Sequence, residues 1–313
     1  MHDDFTRTPM LGRVLAVLLG SACCGGALAQ QAAPAPPPPA PLQVQQVRPG
    51  LSVVSGAGGN VIVWSGPDGT VLVDTGLEYR AAELLETVAR IAPGELRFVI
   101  NTHGHVDHTG GNEAAAGRGA VLVGHERLRE RSGRDVARVA EPGSAAAVAL
   151  PVMTTTDRLA LHLNGDRLDV LPATSAHTGA DLAVRWATAN VVALGDVYWN
   201  GQYPVVDVAA GGSVAGLVAA VEAALARSNA STVIVPGHGA VSNREHLAAY
   251  RDMLVAVGRK VRAAVESGQA LEQVQATHPT AEFDAQFARP GAAVSPDDFV
   301  RNVYEDFRRT GRN

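Results

Sequence analysis

The stretch VINTHGHVDHTGG, Val99 to Gly111, sets His103, His105, Asp107 and His108 within six residues, directly behind an apolar run. Such side chains gain nothing from crowding in a packed apolar core, because each needs its own polar partner there. Imidazole and carboxylate are, however, the donors that hold Zn²⁺. His103 and His105 lie two apart in a turn and can reach one ion together. Further donors stand downstream: His177 after RLDVLPAT, Asp196 after NVVALG, and His238 after TVIVPG. Each comes just past an apolar run of strand length, and strand ends on one rim of a sheet are where ligand sites gather. His177 completes a three-histidine set with an open fourth position. Asp107, His108 and His238 make a second set, and Asp196 can give one carboxylate oxygen to each of two Zn²⁺ ions. Two such ions about 3.5–4 Å apart share a water that ionises near neutral pH.

THGHVDHTGG resembles the HxHxDH signature of the metallo-β-lactamase superfamily. The resemblance extends to DTG at Asp74, HTGAD at His177, LGD at Asp196 and PGHG at His238, in the family's order over about residues 44–260. It implies an α/β fold, the four-layer αββα sandwich, with a dinuclear site in a groove between the two sheet edges. By position, His103, His105 and His177 take the first ion, Asp107, His108 and His238 the second, and Asp196 bridges. Asp74 orients the ligands. The implied reaction is hydrolysis: a hydroxide shared by the metals attacks a small carbonyl substrate, and Asp107 accepts a hydrogen bond from it. No serine or cysteine nucleophile is required.

Departures from the subfamilies bear on substrate. Secreted lactamases of the three-histidine type carry a cysteine where Asp196 stands and a lysine three residues on, where this chain has Trp199; efficient β-lactam turnover is disfavoured accordingly. Glyoxalase II shares the aspartate, but its basic glutathione-binding residues are not evident in this tail. Lactonases place a tyrosine close after the aspartate, and Tyr198 stands nearby. Trp199, Tyr203 and Pro204, in the loop WNGQYPVVDVAAGGS, are expected to form an apolar pocket wall with Tyr198. The expectation is a zinc hydrolase of a lactam or a lactone or ester. The alternatives are a glyoxalase II-type thioester hydrolase, a mononuclear iron sulfur dioxygenase, and a binding protein that kept the fold without catalysis. The complete second ligand set speaks against the iron enzyme. The remaining histidines downstream of the leader, His125, His162, His246 and His278, lack motif context and are read as solvated.

These side chains need rigid elements behind them. LSVVSGAGGNVIVWSGPDGTVLVDTG reads as consecutive hairpin strands broken by Gly-Gly-Asn and Gly-Pro-Asp-Gly. AAELLETVARIA is an amphipathic helix stopped by Pro93-Gly94, LRFVIN a buried strand, Asn112 to Ala116 a short helix, AVLVG a strand and HERLRERSGRDVARVA a charged helix. Strands follow at RLALHL, RLDVLPAT, DLAVRWAT, NVVALGD and TVIVPG, with helices at about Val214 to Ala226, about Asn243 to Glu266, ALEQVQAT and PDDFVRNVYEDFRR. Strands alternating with helices in two halves predict sheets covered by helices.

Arg7 and Arg13 precede the apolar run VLAVLLGSACCGGALA, which ends in the small-x-small site Ala27-Leu28-Ala29. Residues 1–29 therefore read as a cleaved signal peptide, with export to the periplasm or medium and no stable membrane span once it is removed. QQAAPAPPPPAPLQVQQV continues as a Pro-rich tether, assigned to 30–43, and the hydrolase domain with its C-terminal helices takes 44–313. Cys23 and Cys24, the only cysteines, lie in the leader, so the mature chain holds neither a disulfide nor a thiolate ligand. A net charge of −5 and 4% aromatic residues give no footprint for nucleic acid. A small molecule is the expected partner, and no pattern in the sequence sets an oligomeric state.

Overall fold

Residues 40–139 and 148–311 are described by the computed structural model. The expected signal peptide at 1–29 and positions 30–39 of the expected tether lie outside them. At the expected boundary between tether and domain the chain forms β1 (Gln43–Arg48), whose exposed polar side chains hide its strand character. β1 pairs with β2 (Leu51–Ser55), and the meander continues through β3 (Val61–Gly66) and β4 (Gly69–Val73), all antiparallel. Pro67 and Asp68 turn the last hairpin, with Gly69 at φ 107°, a value that glycine alone takes readily.

After β4 the strands are joined by crossovers and the pairing becomes parallel. Helix α1 (Ala81–Ile91) leads to β5 (Leu96–Ile100); the short α2 (Val106–Thr109) and α3 (Asn112–Ala116) lead to β6 (Val121–His125); α4 (Glu126–Val139) precedes β7 (Met153–Thr155). The seven strands lie in chain order. β8 (Leu159–Leu163), β9 (Asp166–Pro172), β10 (Leu182–Trp186), β11 (Val191–Ala193), β12 (Val233–Val235) and β13 (Ser242–Asn243) form a second sheet, again in sequential order, with β11 and β12 parallel across helix α5 (Val214–Ala226). α6 (Arg244–Glu266), α7 (Leu271–Ala276), α8 (Asp284–Phe287) and α9 (Pro296–Thr310) complete the chain. The long helices start where the sequence supplies an N-cap: Ser213 Oγ accepts from Gly216 N, Asn243 Oδ1 from His246 N, and Ser295 Oγ from Asp298 N.

Three apolar layers give the αββα order. Ile62, Trp64, Val71 and Ile100 of the first sheet face Leu168, Val184, Trp186 and Val191 of the second, with Trp64 and Trp186 edge to face at 6.2 Å. Leu84, Leu85 and Val88 of α1 cover the other face of the first sheet. α5, α6 and α9 cover the second sheet with Leu217, Val221, Leu254, Val257, Phe299 and Val303. Among the described residues no helix is long and apolar enough to cross a membrane.

Candidate metal centre

The side chains proposed from the sequence leave the strand ends of both sheets. β4 ends at Val73, and Asp74 follows at φ 65°, a left-handed conformation that aspartate tolerates better than most residues. Its buried carboxylate accepts from Thr102 N at 2.7 Å and Thr102 Oγ1 at 2.7 Å, which pins the turn after β5, and from His108 Nδ1 at 2.7 Å. Asn101 and Asn112 exchange amide hydrogen bonds at 3.0 and 2.9 Å, and Thr75 Oγ1 donates to Asn112 Oδ1, so the loop carrying the histidines is clamped from behind. His105 precedes α2, and Asp107 and His108 lie on it. Asn60, between β2 and β3, donates its side-chain amide to the Pro236 and Gly239 carbonyls at 2.9 Å each, tying the first sheet to the His238 loop.

All seven sequence-proposed donors converge. One group joins His103, His105, His177 and Asp196, the other Asp107, His108 and His238, each with ligand atoms within 4.8 Å of one another. Asp196 divides its carboxylate: Oδ2 lies 3.8 Å from His103 Nε2 and 3.6 Å from His177 Nε2, while Oδ1 lies 3.2 Å from His108 Nε2 and 3.4 Å from His238 Nε2. Asp107 Oδ2 stands 3.2 Å from His238 Nε2 and 3.5 Å from His108 Nε2. His103, His105, His108 and His177 each have the outward ring nitrogen occupied. Thr102 gives its hydroxyl proton to Asp74, so it accepts from His103 Nδ1 at 3.1 Å and leaves Nε2 as a lone pair. His177 Nδ1 donates to the Val205 carbonyl at 2.8 Å, and His105 donates through Nε2 to Asp207 Oδ2 at 3.0 Å, presenting Nδ1 to His177 Nε2 at 3.0 Å.

The residues fit a pair of divalent cations. His103 Nε2 and Asp196 Oδ1 are fully buried with no hydrogen-bond partner, a cost proteins accept for a ligand. Facing lone pairs such as His105 Nδ1 and His177 Nε2 repel unless a cation or a proton lies between them. The charges point the same way. Burial would raise the Asp196 carboxyl, but His108 and His103 hold it well below the usual carboxylate range. Burial opposes charge on His108 too, yet Asp196 and Asp74 push it well above the ordinary imidazole value. His238 goes up to about 9 against its burial, through Asp107 and Asp196. The cluster of carboxylates thus demands positive charge, as protons on imidazole or as metal. His103 and His177 go down, chiefly by burial, and stay neutral as ligands must.

Backbone approach shapes the site. A Cβ at Gly59 would overlap the His108 ring, and one at Gly237 would overlap Asp196 Oδ1. Trp199 lies against His238, ring centroids 4.3 Å apart. The pocket wall expected from Tyr198 and Tyr203 is corrected: both are core residues. Tyr198 spends its hydroxyl on Asn200 Oδ1 and Ser242 Oγ; Tyr203 stacks on Phe299 at 5.0 Å and donates to Asp284 Oδ1. His162, His246 and His278 are exposed as expected, but His125 is buried at the end of β6, with Nδ1 accepting from Arg127 N. Sequence reasoning missed Asp207, although it is the one acid in WNGQYPVVDVAAGGS. A cleft of about 600 Å³ opens beside His105, lined in part by Gly104, Arg127, Arg131, Thr178 and Gly179.

Residues 55–238 match the family model of the metallo-beta-lactamase superfamily. The chain is similar to hydroxyacylglutathione hydrolase from Polaromonas sp., 31% identical over 157 residues that make up 50% of this chain and 53% of that one. It is also similar to metallo-beta-lactamase domain-containing protein 1 from Rattus norvegicus, 43% identical over 60 residues, 18% of this chain and 24% of that one. The chain thus spans about half or less of the length of these curated relatives. Among solved structures, a metallo-beta-lactamase from Pontibacter korlensis matches with TM-score 0.58 at 20% identity, over 68% of this chain and 99% of that one. The sec-alkylsulfatase Pisa1 from Pseudomonas sp. matches with TM-score 0.62 at 18% identity, over 84% and 50%. These likenesses are of fold.

Proposed function

Because the chain belongs to the metallo-beta-lactamase superfamily, we propose that it is an exported dizinc hydrolase of a small carbonyl substrate, a lactone, ester or lactam. The observation that carries this reading is Asp196, whose two oxygens address two separate histidine sets. His103, His105 and His177 would hold one ion and Asp107, His108 and His238 the other, with Asp196 shared between them. Bound there, divalent ions supply Lewis acidity for the substrate carbonyl and lower the pKa of an attacking water.

The chain's own groups do the rest. Asp107 is the partly exposed carboxylate of the cluster and stays ionised below its ordinary pKa, burial being outweighed by His238 and His108. At the mouth of the site it accepts a hydrogen bond from the attacking water and orients its lone pair toward the carbonyl carbon. Asp74 and Asp207 hold His108 and His105 in the tautomers that leave the inward nitrogens free. The similarity to the Polaromonas hydrolase supports a second reading, thioester hydrolysis at the same site. The leader-like segment at 1–29 supports export.

The test is zinc-loaded mature protein on a panel of lactam, lactone, ester, thioester and phosphodiester substrates, with metal content measured on the same sample. Turnover by protein holding two zinc ions, abolished by a chelator and restored by zinc, supports the proposal. Asp107→Ala should lower turnover by at least about a hundredfold while far-ultraviolet circular dichroism stays unchanged. Near-normal turnover by that variant rejects the mechanism, and one iron per chain with oxygen consumption rejects zinc hydrolysis in favour of the oxygenase.

A further inference from the structure

We propose that the cleft beside His105 is an anion subsite in which Arg127 and Arg131 select substrates bearing a carboxylate a few bonds from the scissile carbonyl. The inference rests on the hydrolase reading and names its substrate class. Arg127 and Arg131 are spaced i, i+4 on α4, which sets them on one face of the helix, and both line the cleft that His105 also lines. His105 belongs to the first ligand group, so a substrate engaged there extends directly into this space. The volume, about 600 Å³, is that of a small-molecule site.

The opposite wall is built to leave room. Gly104 and Gly179 present bare backbone, and a Cβ on Gly179 would meet the Ala210 carbonyl and come within 3.8 Å of Arg127 Nη1. Arg127 Nη1 reaches the Gly179 carbonyl only at 3.4 Å, a long contact that steers the guanidinium across the cleft. The base of α4 is fixed, since Arg127 N donates to the buried His125 Nδ1 at 3.1 Å. Two acids stand nearby: Asp207, which accepts from His105 and from Ala210 N, and Glu130, the third charged side chain of α4 at the cleft. Glu130 and Asp207 balance the two guanidinium groups, so an anion here is selected by the directed N–H groups of Arg127 and Arg131 rather than by an excess of positive charge. Guanidinium binds a carboxylate with two parallel hydrogen bonds, whereas a phosphate dianion would bring a second negative charge beside Glu130 and Asp207. Trp199, against His238, offers an apolar ring, while Arg127 and Arg131 are the cations that line the cleft beside His105.

The reaction remains hydrolysis of an ester. The acyl carbon–oxygen bond breaks and a bond to the oxygen of water forms. One proton of that water goes to the departing alcohol and the other to solvent, leaving a dicarboxylate product.

Two chromogenic esters differing in charge test the proposal: p-nitrophenyl butyrate and mono-p-nitrophenyl glutarate, with zinc-loaded full-length mature protein. Wild type should favour the glutarate ester in kcat/KM by at least about tenfold, and Arg127→Ala/Arg131→Ala should lower that ratio by about 10–100-fold, mainly through KM for the glutarate ester. Glutarate itself, titrated calorimetrically, should bind wild type and lose about the same factor in the double variant. Equal zinc content and melting temperature in both proteins assign the loss to the cleft. Turnover whose ester ratio the double variant leaves unchanged overturns the subsite and leaves the hydrolase intact. Glutarate binding that depends on the arginines, with no ester, lactone, lactam or thioester turned over, overturns the hydrolase reading and leaves the anion site standing.

Discussion

Asp74 orients two of the candidate donors, His108 directly and His103 through Thr102, although it stands outside both groups. One carboxylate receives Thr102 N, Thr102 Oγ1 and His108 Nδ1, and Thr102 in turn sets the tautomer of His103. Asp74→Ala should therefore weaken zinc binding by about 10–100-fold, read by competition with a chromogenic chelator. Asp207 acts on His105 alone, so Asp207→Ala should cost about tenfold in affinity at the first group only, and titration should show one ion lost before the other. Equal weakening of both ions by that variant would refute the one-sided role. The seven inward donors were legible in the sequence because metal chemistry restricts them to histidine and aspartate at fixed spacings. Asp207 was not, because its role is decided by where a long loop folds back, and any acid in a loop looks alike in sequence. Tyr203 misled for the converse reason: the sequence places it near Asp196, and α9 claims it for the core through Phe299. His125 shows the same blindness, since a polar residue at a strand end reads as solvated until the helix above it is known.

Elements matter here by how closely they bring backbone to the donors. The GAGGN loop passes over His108 and the PGHG loop over Asp196, and in both the approach leaves no space for a Cβ. At Gly237 the backbone N also donates to the Gly195 carbonyl at 2.7 Å, which locks the His238 loop onto the turn carrying Asp196. Gly237→Ala should displace that carboxylate, cost about 1–3 kcal/mol of stability as overpacking does, and lower zinc stoichiometry in purified protein. Full zinc occupancy at wild-type melting temperature would show that the loop can yield. Strands with strong apolar or alternating patterns, β2 to β6 and β8 to β12, were legible, although β11 stops at Ala193, three residues short of the expected end. β1, β7 and β13 were not: they are polar, or two to three residues long, and exist because a neighbouring strand offers an open edge. The glycine-rich turns were visible as turns, but their service to His108 and Asp196 belongs to the tertiary structure.

At the scale of the whole molecule, the candidate centre sits at one rim of a sandwich whose three apolar layers do not depend on it. Stability toward acid should accordingly be governed in part by ion pairs elsewhere, and one is well placed. Asp169, on the outer face of β9, is buried, with Arg158 Nη2 at 2.7 Å, Arg167 Nε at 3.1 Å and Arg185 Nη1 at 3.7 Å. Burial alone would raise its carboxyl, but Arg158 and Arg167 hold it below the ordinary value. A carboxyl depressed in the folded state binds its proton more readily when unfolded, so its contribution is complete above the unfolded pKa near 4 and is lost as pH falls through the lower folded value. Asp169→Asn keeps the shape and removes the charge, so at pH 7 it should lower stability by about 1.5–3 kcal/mol, the worth of hydrogen bonds to a charged group. The difference from wild type should shrink as the pH drops below about 4, where the wild-type carboxylate is itself being neutralised. Denaturant melts at pH 7, 5 and 3, with chelator present throughout to remove any contribution of metal binding, measure that gap. A gap that stays constant across the three pH values would mean that Asp169 acts through packing and amide-like hydrogen bonding, and that the guanidinium groups around it contribute no net charge stabilisation.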